Sequence, residues 1–152
     1  MDFQKIVEIA NRSKDLSGGQ DYALANAAFA VLLQEYFYGA GGLGLELETN
    51  DEGGESVSET FYDVVGIKAG ESSLCIPLPL LEPCTIAAVV KRAQFIPRGE
   101  HRRTYKDGLT EEKAALWAEL FAEVGTDRLI EALSYLTEDT GRTVKTFIPE
   151  AA

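Results

Sequence analysis

The amino-acid sequence predicts an α+β fold, with helices towards both ends of the chain and a small antiparallel sheet between them. Apolar residues recur at helical spacing before residue 39 and after residue 110, whereas they alternate at strand spacing in the middle. A chain of 152 residues is most simply one domain, because that length suffices for one hydrophobic core. Its predicted parts are a helical hairpin (1–38), a β-meander (43–80), a helical region (83–140) and a tail (141–152).

The stretch from Asp21 to Tyr38 is the predicted centre of the fold. On a helix, apolar side chains cover most of its circumference: Leu24, Ala28, Phe29, Leu32, Leu33, Tyr36 and Phe37. The remaining strip is small and weakly polar: Ala23, Asn26, Ala27, Ala30 and Gln34. Such a helix is buried. Asp21 suits its N-cap, and Gly39 to Gly42 offer left-handed C-cap positions. We expect the strip to meet the C-terminal helices; an exposed strip would indicate a dimer seam.

The first helix is predicted over Asp2 to Lys14. Its apolar face follows the spacing of one helical side: Phe3, Ile6, Val7 and Ala10. The run Ser17-Gly18-Gly19 ends this helix, so the first two helices should form an antiparallel hairpin.

Strand alternation begins after the glycine run. Leu43, Leu45 and Leu47 alternate with more polar residues, and a turn-rich stretch (50–56) leads to a second strand, Val57 to Ile67. A third strand is predicted over Ser73 to Leu80. Because Pro77 and Pro79 cannot donate to a ladder, this strand should lie at an edge or leave the sheet early.

Helices follow the meander. From Pro83, the spacing of Ile86, Val89, Val90 and Ala93 favours a helix, although Thr85 to Val90 also suits a buried strand. Thr110 is predicted to cap the next helix, which Gly125 ends. Thr126 then caps a last helix. The inward residues of these two helices are Trp117, Leu120, Phe121, Val124, Leu129, Ile130, Leu133 and Leu136.

Composition predicts a cytoplasmic protein that does not enter a membrane. Two cysteines, Cys75 and Cys84, are too few for a secreted disulfide framework. The first residues lack a basic region followed by an apolar run, so no secretory signal is expected. The long apolar helix is short for a membrane span and carries Asn26, Gln34 and Glu35.

The charge is unevenly distributed around its net value of −11. Residues 1–90 carry four basic and fourteen acidic side chains, whereas residues 91–106 carry six basic and one acidic. The acidic side chains concentrate on the predicted hairpin: Glu46, Glu48, Asp51, Glu52, Glu55, Glu59 and Asp63. Like charges that face one another across strands destabilise a sheet. Their presence therefore suits either a solvated edge or a face that binds a basic protein.

The same hairpin partly matches a calcium-binding loop. Glu48, Asn50, Glu52, Gly53 and Glu59 have its spacing. The first position of such a loop is normally Asp, however, and both flanks have the pattern of strands. We therefore predict no metal site.

The basic segment 98–108 is predicted to be a loop. Its cationic side chains could hold an anion, or pair with acidic helices of this chain or of a second copy in a homodimer: Arg98, His101, Arg102, Arg103 and Lys106. Direct nucleic-acid binding is not expected, because the rest of the molecule is strongly negative and Tyr105 is the only aromatic residue in the loop.

Catalytic patterns are weak. His101 is the only histidine, and no orienting acid can be identified for it. With Cys75 and Cys84 it has no recognised zinc-ligand spacing. The glycines at 39–44 follow a helix and precede a strand, the reverse of a phosphate-binding loop. The sequence therefore predicts no cofactor.

The charge pattern predicts a non-catalytic acidic protein–protein interaction domain, an accessory subunit or adaptor that docks on a basic partner surface. One alternative is an inhibitor that mimics nucleic acid and blocks a DNA- or RNA-binding protein. Another is a small enzyme of unknown reaction that uses His101.

Overall fold

The computed structural model contains four helices and a three-stranded antiparallel sheet in the part of the chain it describes, so the predicted α+β class is confirmed. The described residues are 1–16, 18, 22–39, 44–50, 64–77, 89, 92–93, 96 and 110–137, with the backbone alone at 48–50, 64–65, 77 and 135–137. The elements are α1 (Phe3–Leu16), α2 (Ala23–Tyr38), β1 (Leu45–Asn50), β2 (Val64–Ala69), β3 (Ser72–Pro77), α3 (Glu111–Val124) and α4 (Thr126–Thr137).

Helix α1 buries the predicted face. Ile6, Val7 and Ala10 are fully buried, and Phe3 packs partly buried against them. The Asp2 carboxylate accepts a hydrogen bond from the backbone N–H of Lys5 at 3.2 Å, which satisfies a donor that the first turn of a helix leaves open. This face packs against α2, α3 and the sheet.

Helix α2 is the centre of the core, as the sequence predicts. Every residue from Leu24 to Leu33 is buried, including the polar Asn26. The helix contacts α1, α4 and all three strands. A helix surrounded in this way needs apolar side chains on every side, which explains why its sequence lacks an amphipathic pattern.

Both ends of α2 differ from their predictions. Tyr22, rather than Asp21, occupies the N-cap and makes no side-chain capping bond; its ring packs partly buried against the core. At the other end Gly39 is extended (φ −77°, ψ −179°), not left-handed. Glycine is needed there for space instead, because a Cβ atom would lie 2.5 Å from the Glu35 carbonyl oxygen.

The sheet is a meander with strand order β1-β2-β3. Leu47 pairs with Ile67, which pairs in turn with Leu74, and this row faces the helices. The predicted third strand does lie at an edge of the described sheet, and it ends at Pro77. The second strand is described only from Val64 onwards, so the earlier part of its predicted range lies outside the described residues.

The C-terminal helices lie where they are predicted, but Thr126 is the first residue of α4 and not its cap, since the Gly125 carbonyl accepts a hydrogen bond from the backbone N–H of Leu129 at 3.1 Å. The Thr110 hydroxyl accepts a hydrogen bond from the backbone N–H of Lys113 at 3.2 Å, which confirms the predicted N-cap of α3. Gly125 separates α3 from α4 with φ 90°, a value that favours glycine. The buried side chains of the two helices include Trp117, Leu120, Phe121, Leu129 and Leu133.

Between β3 and α3 only single positions are described. Val89, Arg92 and Ala93 have helical backbone, in agreement with the helical spacing of that stretch. The Arg92 guanidinium lies 5.0 Å from the centre of the Trp117 ring, a cation–π contact that joins this stretch to α3.

Candidate functional site

The structure describes only the first residues of the predicted acidic face, which lie on β1. The structure gives the whole of Glu46 and the backbone of Glu48. The remaining acidic residues of the prediction lie outside the described residues: Asp51, Glu52, Glu55, Glu59 and Asp63. The described part of this candidate site is therefore the geometry around Glu46.

Glu46 is exposed on the solvent side of the sheet. Its neighbours Leu45 and Leu47 turn towards the core: Leu45 is buried, and Leu47 is partly buried. Glu46 pairs across β1 and β2 with Lys68, yet it makes no ion pair within 4.0 Å with any residue that the structure describes. The carboxylate is thus available to a cation from outside the described chain.

A cavity of about 310 Å³ opens beside this carboxylate. The described residues of its walls are one acidic, one basic and three small or apolar residues: Gly44, Leu45, Glu46, Lys68 and Gly70. Gly70 has φ 62°, and a Cβ atom there would collide with the side-chain oxygen of Gln4. The turn that follows β2 therefore favours glycine for its backbone conformation, whereas the exposed Gln4 side chain could move aside for a larger residue.

Most Lys and Arg side chains of the described helices form ion pairs with acidic side chains of the same chain. Arg12 pairs with Glu119 at 2.9 Å, Lys5 with Glu123 at 3.5 Å, and Arg128 with Glu35. Two of these pairs join α1 to α3, and the third joins α2 to α4. The Glu46 carboxylate, which pairs with none of the described cations, therefore differs from the acidic side chains that link the helices.

The C-terminal end of α2 is a second exposed surface, and the sequence interpretation was wrong about it. Phe37 is assigned to the buried circumference by helical spacing, but it is 43% exposed, and Tyr38 is 67% exposed. The last turn of α2 extends past the core. A cavity of about 190 Å³ lies at this end, lined by Gln34, Glu35, Tyr38, Gly39, Arg128 and Glu131. The glycines directly after Tyr38 are the only sequence signal that the helix is leaving the core there.

The predicted strip on α2 lies against the C-terminal region in part. Ala23 is partly buried, Asn26 and Ala30 are buried, and Gln34 borders the same cavity as Arg128 and Glu131 of α4. α2 packs on α4, as expected for this strip. The strip is therefore not the exposed seam that would have indicated a dimer.

The residues of the basic loop all lie outside the described part of the chain: Arg98, His101, Arg102, Arg103 and Lys106. Anion binding, pairing with a second copy and catalysis through His101 stay predictions. Cys75 is an exposed free thiol on β3, and Cys84 is outside the described residues. Among the residues that are described, no group of three His, Cys, Asp or Glu side chains could hold a metal ion.

Comparison with known proteins provides no family. No protein-family model, no curated protein and no solved structure matches the chain. None of the helices described in the structure is both long and apolar enough to cross a membrane.

Proposed function

We propose that this chain is a non-catalytic, acidic interaction domain that docks on a basic protein surface as an accessory subunit or adaptor. The observation that carries the proposal is the exposure of the Glu46 side chain and its lack of an ion pair with the described residues. Glu46 lies on the solvent side of β1 and makes no such pair even though Lys68 is its cross-strand neighbour.

The charge of the chain supports a basic partner. The net charge is −11, and six further acidic residues of the predicted face follow Glu46 within eighteen positions of the sequence (46–63). A surface of one sign speeds association with a surface of opposite sign and disfavours partners of like charge. Bare nucleic acid and anionic membranes are therefore poor partners for this face.

A cytoplasmic location belongs to the same proposal. Cys75 is exposed and free, and thiols in this state suit a reducing compartment. The proposed partner is thus a basic protein of the cell interior.

Affinity capture with matched charge reversals tests the proposal. In one variant Glu46, Glu48 and Asp51 are all changed to Lys; in the control the exposed Glu8, Glu112 and Glu131 are changed to Lys. The two variants have the same net charge, so they separate the effect of the acidic face from that of total charge. We expect the control to capture the same basic protein as the unchanged chain, and the first variant to lose it.

The outcome that would contradict the proposal is equal capture by both variants, with circular dichroism showing that both are folded.

Competition separates the second candidate, a nucleic-acid mimic, from an adaptor. That candidate is favoured by the concentration of acidic residues over 46–63. A mimic is displaced from its partner by added DNA or RNA, because carboxylates and phosphates use the same Lys and Arg side chains. An adaptor bound at another surface of the partner is not displaced.

A further inference from the structure

The two edges of the described sheet differ in how their backbone groups are used. At β3, the Asn11 side-chain amide donates to the Ser73 carbonyl at 2.9 Å, and the Lys14 ammonium donates to the Cys75 carbonyl at 2.7 Å. Asn11 and Lys14 are three residues apart, so they lie on one side of α1. They occupy carbonyl groups that an edge strand would otherwise offer to another chain. The β3 edge is therefore covered by α1.

The β1 edge has no such cover in the part of the chain that is described. β1 pairs with β2 alone, in the register Leu45 with Ala69 and Leu47 with Ile67. In an antiparallel strand every second residue directs its N–H and C=O groups away from its partner strand. No described backbone or side-chain group bonds to that outer side of Leu45, Glu46 or Leu47. An extended peptide could bond there as a fourth strand.

The charge of β1 selects among the peptides that could bind. A strand added beside β1 would place alternate side chains next to the exposed Glu46 carboxylate, and the others on the side of Leu45 and Leu47. Opposite charges at directly neighbouring positions of two strands stabilise their pairing, and like charges weaken it. The edge thus favours Lys or Arg at alternate positions, with apolar residues between them.

A second copy of this chain is a poor occupant for the same reason. If two β1 strands paired antiparallel about position 46 or 47, with both leucine rows on the core side, positions 46 and 48 would face positions 44, 46 or 48 of the other copy. Glutamate would then lie opposite glutamate or Gly44. Like charges at the centre of the new ladder would oppose this pairing.

We propose that β1 binds an extended segment of the basic partner by strand addition, with Lys or Arg side chains at alternate positions facing Glu46. This inference rests on the proposed function, because it states how the same acidic face engages its partner. Backbone hydrogen bonds to the β1 edge hold the segment, and the carboxylate selects its charge.

Synthetic peptides test the inference with the full chain. The probe is a blocked ten-residue peptide that alternates Lys and Val, and two further peptides carry N-methyl groups on all Lys or on all Val residues. In a strand these two sets of N–H groups point to opposite edges. We expect one methylated peptide to lose binding and the other to retain it, in fluorescence titrations. Glu46→Lys should weaken the unmodified peptide about tenfold or more, and Glu131→Lys, on the exposed side of α4, should leave it unchanged.

Amide hydrogen exchange provides the second readout. Bound peptide should slow exchange at outward-pointing amides of β1 and leave those of β3 unchanged, because α1 contacts β3 and already occupies two carbonyl groups of that edge. Equal binding of all three peptides, or no protection at β1, overturns the strand-addition inference. If these peptides fail while capture of the natural partner still depends on Glu46, Glu48 and Asp51, the proposed function stands without it. If capture is also independent of them, both proposals are wrong.

Discussion

Glu123 of α3 contacts two residues at the start of the chain, Asp2 just before α1 and Lys5 in its first turn. Its carboxylate accepts a hydrogen bond from the backbone N–H of Asp2 at 2.9 Å and lies 3.5 Å from the Lys5 ammonium. The hydrogen bond from Asp2 first, and the nearby charge of Lys5 in addition, lower the pKa of Glu123 from its ordinary value of 4.5. The ionised carboxylate therefore contributes to stability in the folded chain.

This pKa shift predicts how the stability changes with pH. A folded pKa below the unfolded one gives stabilisation that is fully present above the unfolded pKa, near 4.5, and is lost as the pH falls through the folded pKa. Glu123→Gln should lower the free energy of unfolding at neutral pH and have progressively less effect below pH 4.5. Urea denaturation at several pH values measures this difference.

The matched control for that experiment is Glu112→Gln, which changes an exposed carboxylate in the first turn of the same helix. If the two variants have identical pH profiles, the contact with Asp2 and Lys5 contributes nothing specific. Exposed ion pairs often contribute little, so the backbone hydrogen bond from Asp2 is the part that decides this outcome.

Among the secondary-structure elements, α1 and β3 form a contact that depends on two side chains. Asn11 and Lys14 bond to the carbonyls of Ser73 and Cys75 on the outer side of β3. Replacing both donors by Ala should lower the free energy of unfolding by about 1–3 kcal/mol, because each hydrogen bond contributes about 0.5–1.5 kcal/mol. Chemical denaturation measures the loss.

An exposed residue on the same helix is the control for this prediction. Asp15→Ala removes a charged side chain next to Lys14 that is in no ion pair with the described residues, and its effect should stay within about 0.5 kcal/mol. Equal effects of the double variant and of Asp15→Ala would show that α1 does not hold the β3 edge. Faster hydrogen exchange at β3 in the double variant would support the contact directly.

Secondary structure was the part of the fold that the sequence could predict. Each of α1, α3 and β3 has its own periodic pattern, and the Thr110 cap is a local signal, so neighbouring residues were sufficient. Contacts between distant residues were not predictable in this way. The bond from Asn11 to Ser73 joins residues 62 positions apart, and no local pattern indicates it. Phe37 was predicted to be buried and is exposed, because helical spacing cannot show where a helix leaves the core.

The candidate site was predictable to a smaller extent. The alternation of Leu45 and Leu47 with Glu46 predicts that Glu46 faces solvent, because side chains in a strand alternate between faces, and Glu46 is exposed in the structure. That β1 forms an edge of the sheet as far as the chain is described, while α1 packs on the opposite edge, depends on strand order and helix packing. Both are properties of the tertiary structure. The docking role of the acidic face stays a prediction that the capture experiment must test.

At the scale of the whole molecule, α2 makes the other described elements depend on one another. It contacts α1, α4 and the three strands, while α3 packs on α1. Phe29 lies at its centre and is fully buried. Since one helix serves as the common packing surface, loss of its contacts should destabilise helices and sheet together. The single-domain organisation predicted from chain length therefore implies one cooperative unfolding transition.

Two spectroscopic probes and one pair of variants test this cooperativity. Fluorescence of the only tryptophan, Trp117, reports on α3, and far-ultraviolet circular dichroism reports on all helices. We expect the two urea transitions to coincide in the unchanged chain. Phe29→Ala should lower the free energy of unfolding measured by both probes equally, by about 3–5 kcal/mol. This loss is a large part of the total of about 5–15 kcal/mol that is typical of a domain. Phe37→Ala, the same change at the exposed end of α2, should cost about 1 kcal/mol or less. If Phe29→Ala moves the circular-dichroism transition and leaves the Trp117 transition in place, α3 is stable without α2, and α2 is not the common core of the molecule.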